Sequence, residues 1–148
     1  YSRVVVNDMC RMALQSVQFR NKRNIEMKFK SNVDDNYSIS TDARRVQQVL
    51  VNYLTNALKH TDEGSITLEF RGADADGWCE FSCADTGDGV PEGKGEEIFE
   101  RFYKVNSFRQ GTGLGLAICR SVAELLGGEV YLDTTYTGGA RFVLRLKV

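Results

Sequence analysis

The chain has 148 residues, 42% of them apolar, the size of one domain (residues 1–148) able to bury a core without disulfides or a structural metal. Its 19 Lys and Arg residues against 20 Asp and Glu leave a formal charge of -1, so no global field draws nucleic acid or anionic lipid, and any phosphate recognition has to be local. The apolar runs fall far short of the roughly 20 residues a bilayer-spanning helix needs, and no signal-peptide pattern opens the chain.

In chain order, the first twenty or so residues place Val6, Met9, Cys10, Ala13, Leu14 and Val17 at helical spacing, which predicts an amphipathic helix. Ile25, Met27 and Phe29 alternate with Glu26, Lys28 and Lys30, the period of a strand with one wet face. After a polar loop and a short strand around Tyr37 to Ser40, Thr41 or Asp42 can cap a helix over 42–60 whose stripe is Val46, Val49, Leu50, Tyr53, Leu54, Ala57 and Leu58. Alternation over Ile66–Arg71 and Cys79–Cys83 predicts a hairpin, and Glu129–Thr135 with Arg141–Lys147 a second, joined through Thr137-Gly138-Gly139. A helix from about Thr112 to Leu126 ends at Gly127-Gly128. Strands apolar on one face, with about three helices, imply an α+β two-layer sandwich: a mixed, mostly antiparallel sheet of about five strands with the helices on one face. Cys10, Cys79, Cys83 and Cys119 form no C-x-x-C pair and read as reduced, buried thiols.

Three segments carry chemistry. On the 42–60 helix, Asn52, Asn56, Lys59 and His60 share a face clear of the apolar stripe. Carboxamide oxygens suit magnesium and a lysine suits phosphate, or the face is simply solvated. Asp85-Thr86-Gly87-Asp88-Gly89-Val90-Pro91 follows a strand. Its glycines let backbone lie close to a flat ligand, and a buried aspartate can accept from the exocyclic amino group that adenine has and guanine lacks at that position; the alternative is an ordinary turn. Gly111-Thr112-Gly113-Leu114-Gly115-Leu116 runs into a helix, whose unpaired N–H groups and positive dipole end attract phosphate, or the glycines serve close packing. No Lys-Ser/Thr follows, so it is not a Walker loop.

Together these segments resemble the sensor histidine kinases: Gln48 to Thr61 is similar to their N box, Asp85 to Pro91 to their G1 box, Ile98-Phe99-Glu100-Arg101-Phe102-Tyr103 to their F box, and Gly111 to Leu116 to their G2 box. The resemblance covers essentially the whole chain and implies the catalytic ATP-binding domain with the Bergerat fold, in the GHKL superfamily that also holds gyrase B, a heat-shock chaperone and mismatch-repair ATPases. It implies ATP and Mg2+ as cofactors, with Asn56 as magnesium ligand and Asn52 beside it near the terminal phosphates. Lys59 and His60 match phosphate contacts, Asp85 the adenine reader, and Gly87 and Gly89 the glycines lining the base. Tyr103 and Lys104 correspond to lid residues, Arg109 to a further phosphate contact in some members, and Gly111, Thr112, Gly113, Leu114, Gly115 and Leu116 to the phosphate-binding helix start. Asn52 stands where the superfamily's hydrolases place a glutamate that activates water. Asparagine cannot act as that base, so the resemblance implies phosphoryl transfer to a histidine, with slow hydrolysis at most.

Three departures stand out: Asp88 at a usually apolar position, which makes the base pocket more polar or faces solvent; a short 104–111 stretch, implying a compact lid; and Ala140 where the family often has a hydroxyl. His60, the only histidine, sits in the donor's own site. The resemblance therefore implies an acceptor histidine on a separate dimerisation and phosphotransfer domain of the same parent protein, a response regulator downstream, no nucleic-acid partner, and a cytoplasmic location without membrane insertion of this domain. A module that binds nucleotide only to change shape is the rival expectation; a serine kinase or hydrolase on this fold is disfavoured by Asn52.

Overall fold

The computed structural model describes residues 1–89, 99 and 115–148. Strand β1 (Ser2–Val5) leads directly into helix α1 (Val6–Ser16), and a 3-10 turn (Gln18–Arg20) precedes β2 (Glu26–Ser31). Then come β3 (Ser38–Thr41), α2 (Ala43–His60), β4 (Ser65–Arg71), β5 (Trp78–Asp85), α3 (Gly115–Leu125), β6 (Glu129–Leu132) and β7 (Arg141–Lys147). Five strands form one sheet in the order β2-β4-β5-β7-β6; β1 and β3 form a separate two-stranded ribbon. Among the described residues, only the β2–β4 pair of the large sheet is parallel. The expected α+β sandwich with a mixed, mostly antiparallel five-stranded sheet and three helices is the architecture found.

Two boundaries differ from the sequence expectation. The first helix begins at Val6, because Val4 and Val5 pair with Ile39 and Ser38 in the ribbon, and the buried Val4 packs there as β-branched residues do on a pleated surface. The second hairpin's first strand stops at Leu132, where Asp133 Oδ1 accepts from the Thr135 N–H at 2.9 Å and its hydroxyl at 2.6 Å, a local turn that competes with the ladder. Two helix ends agree with the reading, and the expected start of α3 near Thr112 lies outside the described residues. Asp42 is the cap of α2, its Oδ1 accepting from Arg45 N–H at 3.3 Å, and α3 ends with Gly128 N–H donating to Ala123 O at 2.8 Å around Gly127.

Period-2 alternation sorts the sheet. Ile66, Leu68 and Phe70, Cys79, Phe81 and Cys83, and Phe142, Leu144 and Leu146 are buried. Against them lies the α2 stripe of Val46, Val49, Leu50, Tyr53, Leu54 and Ala57, each fully buried. Tyr53 stacks on Phe142 with centroids 5.5 Å apart, and its hydroxyl donates to the Val143 carbonyl at 2.8 Å, so the buried phenol keeps a partner. All four thiols are buried; desolvation pushes Cys10 and Cys119 up to about 12, Cys79 to about 11 and Cys83 higher still. Among the described residues no helix is long and apolar enough to cross a membrane.

The topology sets where a ligand can sit. Helix α2 is part of the crossover between the parallel strands β2 and β4, so its C-terminal end returns to the edge where β4 begins, β5 ends and β7 begins. The polar face of α2, the loop after β5 and the loop before β7 therefore meet at one end of the sheet.

Candidate functional site

Asp85 is the last residue of β5 and is 1% exposed. Its Oδ1 accepts from Gly87 N–H at 2.9 Å and from Ala140 N–H at 3.2 Å. Its own N–H donates to Ala140 O at 2.8 Å, and its carbonyl accepts from the Tyr136 hydroxyl at 2.9 Å. Burial raises the carboxyl above the usual carboxylate range; the two N–H donors oppose this and the nearby Asp88 charge adds to it. An acid held this firmly by one oxygen has its other oxygen available to a ligand donor.

The loop after Asp85 lies on the end of α2. Asp88 N–H donates to His60 O at 3.1 Å, satisfying one of the last helical carbonyls. Gly87 approaches so closely that a Cβ there would stand 2.0 Å from His60 O and 2.9 Å from Thr61 Oγ1. A Cβ on Gly139 would stand 1.9 Å from Asp85 O, so one chain segment passes the end of α2 and another passes Asp85 with no room for side chains. Thr86 Oγ1 accepts from Ser65 N–H at 3.0 Å and fixes the loop to the start of β4. The β7 side is fixed by Arg141, which reaches Glu80 Oε1 at 2.6 Å and Asp133 Oδ2 at 2.8 Å with only 16% of its side chain exposed.

On α2, His60 is buried, Lys59 is exposed, and Asn52 and Asn56 are half-buried. Among the described residues, Asn56 Nδ2 and Thr61 Oγ1 are buried polar atoms without a hydrogen-bond partner. Leaving such a group unsatisfied costs about 1–3 kcal/mol, so two of them at the C-terminal end of α2 point to a polar ligand or ordered water. Asn52 faces the start of α3: a Cβ on Gly115 would lie 3.5 Å from Asn52 Oδ1. The described residues thus bring His60, Asp85, Gly87 and Gly89 to one end of the sheet and Asn52 to Gly115, with Asn56 one turn before His60 on α2, while Leu116 packs on the core. Tyr103, Lys104, Arg109, Gly111, Thr112, Gly113 and Leu114 lie outside the described residues.

A family model described as histidine kinase-, DNA gyrase B-, and HSP90-like ATPase matches residues 41–148. The chain belongs to this family. Within it the chain is a catalytic ATP-binding domain of the sensor histidine kinase type. It is 44% identical over 105 residues to the sensor protein TorS of Escherichia coli, a match covering 71% of this chain and 11% of that protein. Full-length ShkA, solved with AMPPNP, superposes with a TM-score of 0.85 at 29% identity, over 98% of this chain and 30% of that one. The catalytic domain of the histidine kinase ThkA, solved nucleotide-free, gives 0.81 at 26% identity over 99% and 96%. The chain spans about a tenth of the length of the first curated relative it matches.

Several residues of this histidine-kinase-type domain escaped the sequence reading. Thr61 stood only at the end of the Gln48 to Thr61 box and Tyr136 was not singled out, yet each places a hydroxyl at the Asp85 loop. Ala140 acts through its backbone N–H, which no side-chain pattern announces. Of the two expectations for Asp88, the exposed one holds: its side chain faces solvent while its N–H engages α2.

Proposed function

We propose that this domain binds Mg-ATP and donates the γ-phosphoryl group to a histidine on a separate dimerisation and phosphotransfer domain, in a two-component signalling pathway with a response regulator downstream. The supporting observation is Asp85, buried at a strand end with one oxygen held by two backbone N–H groups and no room beside it for side chains. Its free oxygen accepts the adenine amino group, and Gly87 and Gly89 let the base lie against backbone. Asn52 and Asn56 offer hard amide oxygens, and the unpartnered Asn56 Nδ2 offers a donor to a phosphate oxygen or a metal-bound water, so this face fits magnesium and phosphate. Magnesium, when bound, neutralises charge on the phosphate oxygens. Lys59 adds a compact positive charge, and with Asn52 in place of a carboxylate base the site holds water without activating it. The motif resemblance assigns Tyr103, Lys104 and Arg109 to nucleotide contact and Gly111 to Leu116 to the phosphates, the task a glycine-rich helix start suits. The parent protein carries the domain on the cytoplasmic side.

Calorimetry of ATP and GTP binding in magnesium, with wild type and Asp85→Asn, tests the reading. Asparagine turns a donor toward the adenine amino group, and loss of one charge-assisted hydrogen bond of about 1.5–3 kcal/mol weakens ATP by roughly 10- to 150-fold. Equal wild-type affinity for GTP would remove the adenine argument. Absence of labelled γ-phosphate transfer to an added histidine-bearing partner domain, despite measured ATP binding, would remove the kinase assignment.

A further inference from the structure

Arg141 opens β7 and ties two other elements together. Its Nη2 meets Glu80 Oε1 of β5 at 2.6 Å, and its Nη1 meets Asp133 Oδ2, just past β6, at 2.8 Å. In the ladder Arg141 stands opposite Ala84 and Glu80 opposite Arg145, so the guanidinium reaches back along the sheet past the buried Ser82–Val143 pair. The Arg141 side chain is 16% exposed and its two carboxylate partners 24% and 19%, so water screens these charge-assisted bonds less than it screens a surface pair.

Two routes lead from this clamp to Asp85. Asp133 gives the guanidinium one oxygen and keeps the other for Thr135, whose N–H and hydroxyl it accepts at 2.9 and 2.6 Å. That turn, closed by Tyr136 N–H on Asp133 O at 3.3 Å, brings the Tyr136 hydroxyl to the Asp85 carbonyl at 2.9 Å. The second route is the chain itself: Ala140, the residue before Arg141, donates its N–H to Asp85 Oδ1 at 3.2 Å and accepts the Asp85 N–H at 2.8 Å. A shift anywhere in this connection reaches Asp85, since Gly139 lies against the Asp85 carbonyl without space for a Cβ. We infer that Arg141 is a positioning residue for base recognition: by clamping β5 to the turn after β6 it fixes the Tyr136 hydroxyl and the Ala140 N–H, and through them the direction of the free Asp85 oxygen. The inference rests on the Mg-ATP reading above and adds to it a determinant of adenine discrimination on the sheet face opposite the helices.

The test uses the whole 148-residue chain and two triphosphates in excess magnesium: ATP, and purine riboside triphosphate, which carries hydrogen where adenine carries its amino group. Arg141→Met keeps the arm and removes the charge, while the gentler Asp133→Asn keeps an acceptor for Thr135 and weakens the ion pair. Arg145→Met is the control, since Arg145 lies further along the same face of β7, pairs with Glu129 at 2.8 Å and stands over Trp78 at 4.9 Å. Calorimetry is expected to show ATP bound about five- to tenfold more weakly by Arg141→Met, with purine riboside triphosphate within about twofold of wild type. Asp133→Asn should move that ratio in the same direction, and Arg145→Met should leave it in place. Adding Tyr136→Phe to Arg141→Met should cost less than the two changes summed, because both act on Asp85. Equal weakening of both triphosphates in Arg141→Met and Asp133→Asn, or a lower Tm with the ratio intact, would overturn the inference, since those mark a clamp that serves only the fold. If wild type binds the two triphosphates equally, the base-reading role of Asp85 fails on its own ground. Hydrogen exchange at the Gly87 and Ala140 amides, both bonded to Asp85 Oδ1, then decides whether Arg141 sets that carboxylate in the nucleotide-free chain. Both amides should exchange about tenfold faster in Arg141→Met and at the wild-type rate in Arg145→Met; unchanged rates in Arg141→Met would sink the idea.

Discussion

Gly87→Ala probes the site where it is tightest. The added methyl carbon would stand 2.0 Å from His60 O and 2.7 Å from His60 C, both backbone atoms at the end of an 18-residue helix. Reaching ordinary contact at 3.4 Å requires the loop to withdraw by about 1.4 Å, because α2 is anchored by its buried stripe and yields less. A shift of that size breaks two hydrogen bonds: Gly87 N–H to Asp85 Oδ1, now 2.9 Å, and Asp88 N–H to His60 O, now 3.1 Å. One is charge-assisted and one is a neutral backbone bond, so the loss is about 2–4 kcal/mol, or roughly 5–15 °C in Tm for a chain of this length. ATP affinity should fall by more than about tenfold as Asp85 loses its orientation. Thermal unfolding and calorimetry measure the two effects. Gly138→Ala is the control: its φ of 87° carries a strain of about 1–2 kcal/mol, yet nothing lies within 4 Å of the new carbon. The reasoning is refuted if Gly87→Ala is no worse than Gly138→Ala in Tm and ATP affinity.

Because burial raises the Asp85 carboxyl, the folded chain takes up this proton more readily than the unfolded one; stability from this group is greatest below the unfolded carboxylate pKa and declines as pH rises through the folded one. An adenine amino group favours the ionised form, so ATP affinity should move the other way and weaken on acidification; a binding series that runs parallel in wild type and Asp85→Asn would contradict this. Tyr136→Phe removes the 2.9 Å bond to the Asp85 carbonyl, and ATP affinity should drop by about three- to tenfold with Tm nearly kept; a loss confined to Tm would show that the hydroxyl serves only the fold. Tyr53→Phe leaves the Val143 carbonyl without its buried side-chain donor at a cost of about 1–3 kcal/mol, lowering Tm with ATP affinity unchanged; urea titration provides the check.

The sheet was legible because its strands are apolar on one face, so Ile66, Leu68 and Phe70 or Phe142, Leu144 and Leu146 mark both period and inner side. The N-terminal ribbon was not, since Val4 and Val5 precede a helical stripe without a break, and only the distant Ile39 and Ser38 make them a strand. At the site, Asp85 and the Asn52 to His60 face could be read from side-chain chemistry and spacing. The Ala140 N–H and the Tyr136 hydroxyl act across 55 and 51 residues, on the carboxylate and the backbone carbonyl of Asp85, and a sequence carries no sign of which distant backbone group a fold will bring to a given carboxylate or carbonyl.

The four buried thiols give the molecule its own reporters. Cys10 lies in α1, Cys79 and Cys83 at two levels of β5, and Cys119 in α3, all poorly ionised and hidden from reagent in the closed state. Alkylation can therefore proceed only through local opening, and the sequence in which the four react records which element loosens first. Nucleotide that ties α3 to α2 should slow Cys119 ahead of the others, so mass spectrometry on the unaltered chain reads ligand coupling element by element.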